Sequence, residues 1–294
     1  MSLATPTPRE HCRALFGNPV APVDVWEREF DHDDAALHAL AKKDWWDINA
    51  DELRRYYLLN LVHVEPLQPE VFRYLFPLCL AYWQEALMDD SGPAFDNWHD
   101  VMRRTCLFET MMTPPQAQAV KTFITDSLLA RLDRERGFLY DGSRTPAYTW
   151  QFEINELGGS LPLVARLWDR WWAVDSPGKA VSAIMYASGL IYEEGENPIF
   201  GAWTREHGGG GPYLSDAGAS ADWSADNLQA LRERLTVERL LTLVDLSAQR
   251  LRQEPEFALA MRIAVDARDR TSIIEIQIDA LLESLATQSQ SCWP

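Results

Sequence analysis

The chain has 294 residues, of which 44 are acidic and 27 basic, and its formal net charge is −17. This balance excludes a general nucleic-acid binder, because contact with phosphates needs a basic surface, and it opposes electrostatic attachment to anionic membranes. Hydrophobic residues make up 47% of the chain and tryptophan occurs 12 times, which is enough apolar area for one large domain or two smaller ones. The acidity is typical of a highly soluble protein, and it also suits a protein that attracts a basic partner.

The four cysteines are widely spaced, and no pair has the C-x-x-C spacing of a zinc or redox site: Cys12, Cys79, Cys106 and Cys292. No cofactor is therefore predicted. Unpaired cysteines indicate a reducing, cytoplasmic setting. The first twelve residues lack the apolar run of a signal peptide, and no apolar segment reaches the length of a membrane span.

Residues 1–24 are rich in proline and predict a loose N-terminal arm with a short helix around Arg9 to Phe16. Residues 25–137 form a predicted N-terminal helical half. Within it, Trp45 and Trp46 lie in a turn, and Asn49 with Glu52 three residues later resembles a capping box.

The segment from Pro69 to Met88 is the densest apolar stretch of the chain. Its apolar residues recur at three- and four-residue spacing, which predicts a helix with little polar surface that lies inside the fold. Pro77 interrupts this pattern, since proline removes a helix hydrogen bond and crowds the carbonyl four residues earlier. The segment is predicted either to kink between Arg73 and Pro77 or to form two helices.

The sequence LQPEVFRYLFPLCLAYW, residues 67–83, resembles the L-x-P-E-A-F-R-Y-Y-L-P-A pattern of small uncharacterised bacterial proteins. Some of these proteins are encoded near toxin and immunity genes. The resemblance covers about a tenth of the chain and consists mainly of core-type residues. It implies a bacterial protein with an immunity-type or accessory role, and it implies no catalytic residue.

Further helix signals follow in chain order. Thr113 and the two prolines after it predict the start of a helix that ends at Gly137. Residues 138–146 are the predicted boundary between the halves, and residues 145–294 form the C-terminal half, although one continuous domain is the alternative. Ser176 with Pro177 predicts another helix start.

The rest of the C-terminal half also has helical periodicity. A tryptophan stripe predicts a core contact or, alternatively, an exposed aromatic surface: Trp168, Trp171 and Trp172. Residues 273–279 alternate as a strand does, but the length and the ending of the segment favour a helix. The predicted fold is all-α, an irregular bundle of about ten helices.

Several motifs are weighed against simpler interpretations. His207 with the glycines after it resembles the oxyanion loop of lipases, but the chain has no nucleophile elbow, and Ser188 lacks its leading glycine. Gly178-Lys179 lacks the earlier glycine of a phosphate-binding loop, so a helix cap is favoured. A run of possible hard metal ligands is more typical of a solvated helix start, and no metal site is favoured: Asp31, His32, Asp33 and Asp34.

The candidate binding residues are Glu193, Glu194, Glu196 and His207, which lie in or beside a glycine-rich loop, residues 195–220. Acidic residues after a helix oppose its dipole, which is a weak sign of function. The leading hypothesis is an acidic protein that binds a basic protein. The alternative is an enzyme of unknown reaction with its site near this loop. The sequence indicates no nucleic-acid or membrane partner and leaves the oligomeric state open.

Overall fold

The structure is a computed structural model that describes residues 6–22, 35, 39–40, 42–53, 69–89, 111–138, 162–193, 196–199 and 224–288. These residues form ten α-helices and one 3-10 turn and contain no strand, so the predicted all-α class is confirmed. The chain divides into two compact units, residues 1–124 and 125–294. The boundary predicted at residues 138–146 stays a prediction, because residues 139–146 lie outside the described ranges.

The first unit contains α1 (Pro8–Leu15), the 3-10 turn (Trp45–Asp47), α2 (Ala50–Glu52) and α3 (Pro69–Asp89). The division between the units falls within α4 (Pro114–Asp133). The second unit contains α5 (Val164–Trp171), α6 (Pro177–Ile191), α7 (Ala225–Arg234), α8 (Val237–Arg250), α9 (Phe257–Asp269) and α10 (Thr271–Gln288).

Side-chain caps fix the starts of several helices. The predicted capping box at Asn49 and Glu52 is present, with each side chain bonded to the other's backbone N–H at 3.0 Å. Thr7 and Glu10 form a second capping box at α1. Ser176 accepts a hydrogen bond from the backbone N–H of Lys179, so Gly178-Lys179 belongs to a capped helix start, as predicted. Such caps satisfy N–H groups that have no partner within the helix.

Helix α3 lies at the centre of the first unit. It runs unbroken through Pro77, so the predicted alternative of two helices is wrong. Its side chains from Tyr74 to Ala81 are buried, and Cys79 is a core residue. Burial around a helix that is apolar on most sides stabilises it strongly enough to offset the one backbone hydrogen bond that proline removes.

Helix α1 packs against α3. Cys12 and Phe16 are buried, and the Phe16 ring meets the rings of Phe72 and Phe76 edge-on at 6.2 and 5.8 Å. Within the predicted arm, the short helix is confirmed, and this contact holds it in place rather than leaving it loose.

Two arginines one turn apart on α1 stack on aromatic rings of the same unit. The Arg9 guanidinium lies 4.6 Å from the centre of the Tyr82 ring, and that of Arg13 lies 5.2 Å from the Trp45 ring. Arg9 also donates to the carbonyl of Trp46 at 3.0 Å and to the Tyr82 hydroxyl. These contacts connect α1 to both the 3-10 turn and α3.

Helix α6 is the core helix of the second unit and packs against α8, α9 and α10. Twelve of its fifteen residues are buried. At its start Gly178 touches the end of α4, where a Cβ atom would lie 1.8 Å from the carbonyl oxygen of Asp133. Small residues that allow a close helix contact are buried in this helix: Ala180, Ala183 and Ala187.

Helix α10 includes residues 273–279, so the favoured helical interpretation of that segment is confirmed. Ile274, Ile278 and Leu285 are buried, at helical spacing. None of the helices in the described ranges has the length and apolar character that a membrane crossing requires.

Candidate functional site

The segment after α6 contains two of the four predicted binding residues, Glu193 and Glu196, and both are exposed. The backbone N–H of Glu196 donates to the carbonyl of Glu193 at 3.0 Å, which closes a turn. Glu194 lies outside the described residues. The described part of this acidic cluster is therefore joined by a backbone hydrogen bond, with both glutamates at the surface.

Buried hydrogen bonds hold the residues after Glu196 in place. Asn197 is buried, and its amide nitrogen donates to the hydroxyl oxygen of Ser188 at 3.1 Å. Its side-chain oxygen accepts the N–H of Ile199 at 2.9 Å. Ser188 itself is fully buried and donates to the carbonyl of Met185. Its hydroxyl is a structural group inside a helix rather than an exposed nucleophile.

Tyr192 attaches the same turn to α9. Its hydroxyl donates to Oδ2 of Asp266 at 2.5 Å, and its ring lies 4.8 Å from the Arg270 guanidinium. Burial is the larger cause and the hydrogen bond to Asp266 the next of a rise in the pKa of Tyr192 well above its ordinary value, so the phenol keeps its proton at alkaline pH values where an exposed tyrosine ionises.

The two glutamates differ in their electrostatic surroundings. Glu196 pairs with Arg270 at 2.7 Å, and this hydrogen bond raises the pKa of the arginine. Glu193 forms no ion pair with any residue in the described ranges. Of the two described glutamates in this turn, Glu193 is therefore the one whose charge remains available to a cation in solution.

The other predicted candidates lie outside the described residues. These are His207, the glycine-rich loop beyond residue 199, and the possible metal ligands Asp31, His32, Asp33 and Asp34. In the described ranges, no group of three or more His, Cys, Asp or Glu side chains is placed to hold a metal ion.

A second acidic surface lies on α10, and the sequence analysis did not identify it. Glu275, Asp279 and Glu283 follow one another at four-residue spacing and are all exposed. Ile276 lies beside them with 66% of its surface exposed. We call these four residues the α10 acidic face. Its sequence signal is a stripe of acids opposite the buried Ile274 and Ile278, which becomes visible only once the segment is read as a helix.

The tryptophan stripe of α5 is mainly core. Trp168 and Trp171 are buried, and Trp172 is half-buried. All three indoles surround the ring of Tyr186 on α6, with centroid distances between 5.5 and 6.5 Å. The core interpretation of the stripe is therefore confirmed for Trp168 and Trp171.

Comparison with protein-family models, with curated proteins and with solved structures gives no match to this chain.

Proposed function

We propose that this protein binds a basic protein partner and that the α10 acidic face is the surface that does so. The observation that carries the proposal is the charge of α10. Over 18 residues the helix contains three carboxylates and no lysine or arginine. The net charge of −17 also supports a basic partner, because an acidic surface attracts positively charged proteins and speeds their association.

Two acids of this face have no compensating ion pair among the described residues. Glu275 and Asp279 form no ion pair within the described part of the chain. Carboxylates at four-residue spacing repel each other and cost the helix roughly 0.2–0.5 kcal/mol per pair. A basic partner would relieve this repulsion on binding, and the exposed Ile276 adds an apolar contact at the edge of the charged stripe.

The biological setting of the proposal rests on the resemblance of residues 67–83. That resemblance supports an immunity-type or accessory role in a bacterial cytoplasm. Glu193, which has no ion pair among the described residues, contributes further negative charge to the second unit.

The experiment is a pull-down of the tagged protein from its native cytoplasm at low salt, followed by elution with rising salt. We expect one basic protein in near-stoichiometric amount, with an affinity that falls steeply as salt screens the charges. A triple variant, Glu275→Gln, Asp279→Asn and Glu283→Gln, is expected to lose this protein.

A matched control removes three exposed carboxylates from the first unit instead: Asp47→Asn, Asp51→Asn and Glu70→Gln. Both variants change the net charge by the same amount, and thermal unfolding shows whether each one folds. Equal loss of the partner in both variants would show that only total charge matters. A partner that elutes independently of salt would refute the electrostatic proposal.

A further inference from the structure

Two indole N–H groups in the aromatic cluster of α5 and α6 are buried without a hydrogen-bond acceptor. Trp168 is only 3% exposed, and among the described residues neither its Nε1 nor that of Trp172 meets an acceptor. Trp171, on the same helix, donates its N–H to the hydroxyl oxygen of Ser182 at 2.9 Å. The cluster therefore contains one indole N–H group with a hydrogen-bond acceptor and two without one.

An unsatisfied donor of this kind is costly. An indole N–H can only donate, and burying it without a partner costs roughly 1–3 kcal/mol. Two such groups in one cluster call for a physical explanation, since nearly all buried polar groups in folded proteins are paired.

We propose that the indole N–H groups of Trp168 and Trp172 hold a small hydrogen-bond acceptor inside this cluster. The acceptor is an oxygen atom, either of an ordered water molecule or of the carbonyl or carboxylate group of a small ligand. Such an oxygen has lone pairs for two donors, and a buried water commonly makes about three hydrogen bonds.

The two rings are neighbours in the cluster, with centres 6.5 Å apart. One oxygen about 2.9 Å from each of two nitrogens bridges nitrogens up to roughly 5.8 Å apart. The Trp172 side chain is half-buried, so the cluster reaches the surface at this residue.

The test is an NMR spectrum of the whole protein with 15N-labelled tryptophan. Trp171 is the internal reference for a bonded indole. The variants Trp168→Phe and Trp172→Phe assign the other two resonances, and if either fails to fold, nuclear Overhauser contacts to the Tyr186 ring assign them instead. We expect both indole protons at the low field of bonded N–H groups, alongside that of Trp171.

Two further measurements distinguish the sources of the oxygen. A cross-peak from either indole proton to the water resonance identifies ordered water. A small molecule released on denaturation and detected by mass spectrometry, together with the absence of that cross-peak, identifies a ligand. Indole protons at the high field of unbonded N–H groups, with neither a water cross-peak nor a released compound, would overturn the proposal.

Discussion

The hydroxyl of Tyr192 donates a 2.5 Å hydrogen bond to Oδ2 of Asp266, a residue 74 positions later in the chain. Arg270 lies over the same tyrosine ring and pairs with Glu196. The residue that ends α6 is thus fixed to α9, and the acidic turn after it is held by the residue that precedes α10. The following predictions test this and similar contacts.

Replacing Tyr192 by phenylalanine removes only the hydroxyl. We expect a loss of about 1 kcal/mol in the free energy of unfolding, which is typical of one hydrogen bond to a carboxylate that water can still reach. Urea denaturation measures the shift in midpoint. The matched control is Arg262→Ala, which removes a more distant and exposed contact of Asp266 at 3.7 Å and should have little effect. Equal effects of the two variants would contradict this account.

Replacing Gly178 by alanine is expected to destabilise the second unit by about 3 kcal/mol. The new Cβ atom would lie 1.8 Å from a backbone oxygen of Asp133, and neither helix end can move without losing packing. Thermal unfolding and the soluble yield measure the effect. Gly17→Ala is the control, because nothing lies within 4 Å of its Cβ position and only its left-handed backbone is strained, at a cost of about 1 kcal/mol. A Gly178→Ala protein as stable as the control would refute the close contact.

Replacing Arg9 by lysine keeps the charge but removes the planar group that stacks on Tyr82 while donating to Trp46. We expect a loss of about 1 kcal/mol and faster proteolysis near α1. Arg13→Lys is the comparison, since Arg13 stacks on Trp45 and its buried Nε has no hydrogen-bond partner in the described part of the chain. Arg13→Lys should lower the stability less than Arg9→Lys does. A larger loss for Arg13→Lys would contradict the importance of the hydrogen bonds of Arg9.

The stability of the second unit is expected to depend on pH through Asp169. Two hydrogen bonds of 2.9 Å from Arg234 lower the pKa of this carboxyl below its ordinary value. The pKa of Asp169 is lower in the folded protein than in the unfolded chain. Its contribution to the free energy of unfolding is therefore fully present above the unfolded pKa of about 3.9, and it is lost as the pH falls through the folded pKa.

At pH 7 this pair, whose carboxylate is exposed, contributes about 0.5 kcal/mol. Urea denaturation of the natural protein and of Asp169→Asn should show this difference at neutral pH and a shrinking difference below about pH 4. Arg234→Gln should remove the same pH dependence. A difference that stays constant down to pH 2 would exclude the ion pair as its cause.

Local signals in the sequence were enough to predict the all-α class and most of the helix starts. Asn49 and Ser176 cap helices where the sequence placed them, because the capping contact involves only residues three apart. Pro77 was harder to interpret. The local rule predicts a break or kink at proline, whereas burial on most sides of α3 keeps the helix in one piece.

The candidate site depends on contacts that no local pattern contains. Glu196 appears as an unpaired acid in the sequence, yet the fold brings it to Arg270. Asn197 appears as a loop residue, yet it is buried against Ser188. Both partners lie on other elements, so only the three-dimensional arrangement reveals that Glu193 and Glu196 differ.

Two thiols in the described part of the first unit, Cys12 on α1 and Cys79 on α3, are fully buried, and burial raises the pKa of both. Since the thiolate is the reactive form, neither cysteine reacts with an alkylating reagent until its surroundings open. In a variant in which serine replaces Cys106 and Cys292, the labelling rate of Cys12 therefore reports how often α1 detaches. The slower labelling rate of Cys79 reports how often the core around α3 opens. The two rates together show the order in which parts of the first unit unfold.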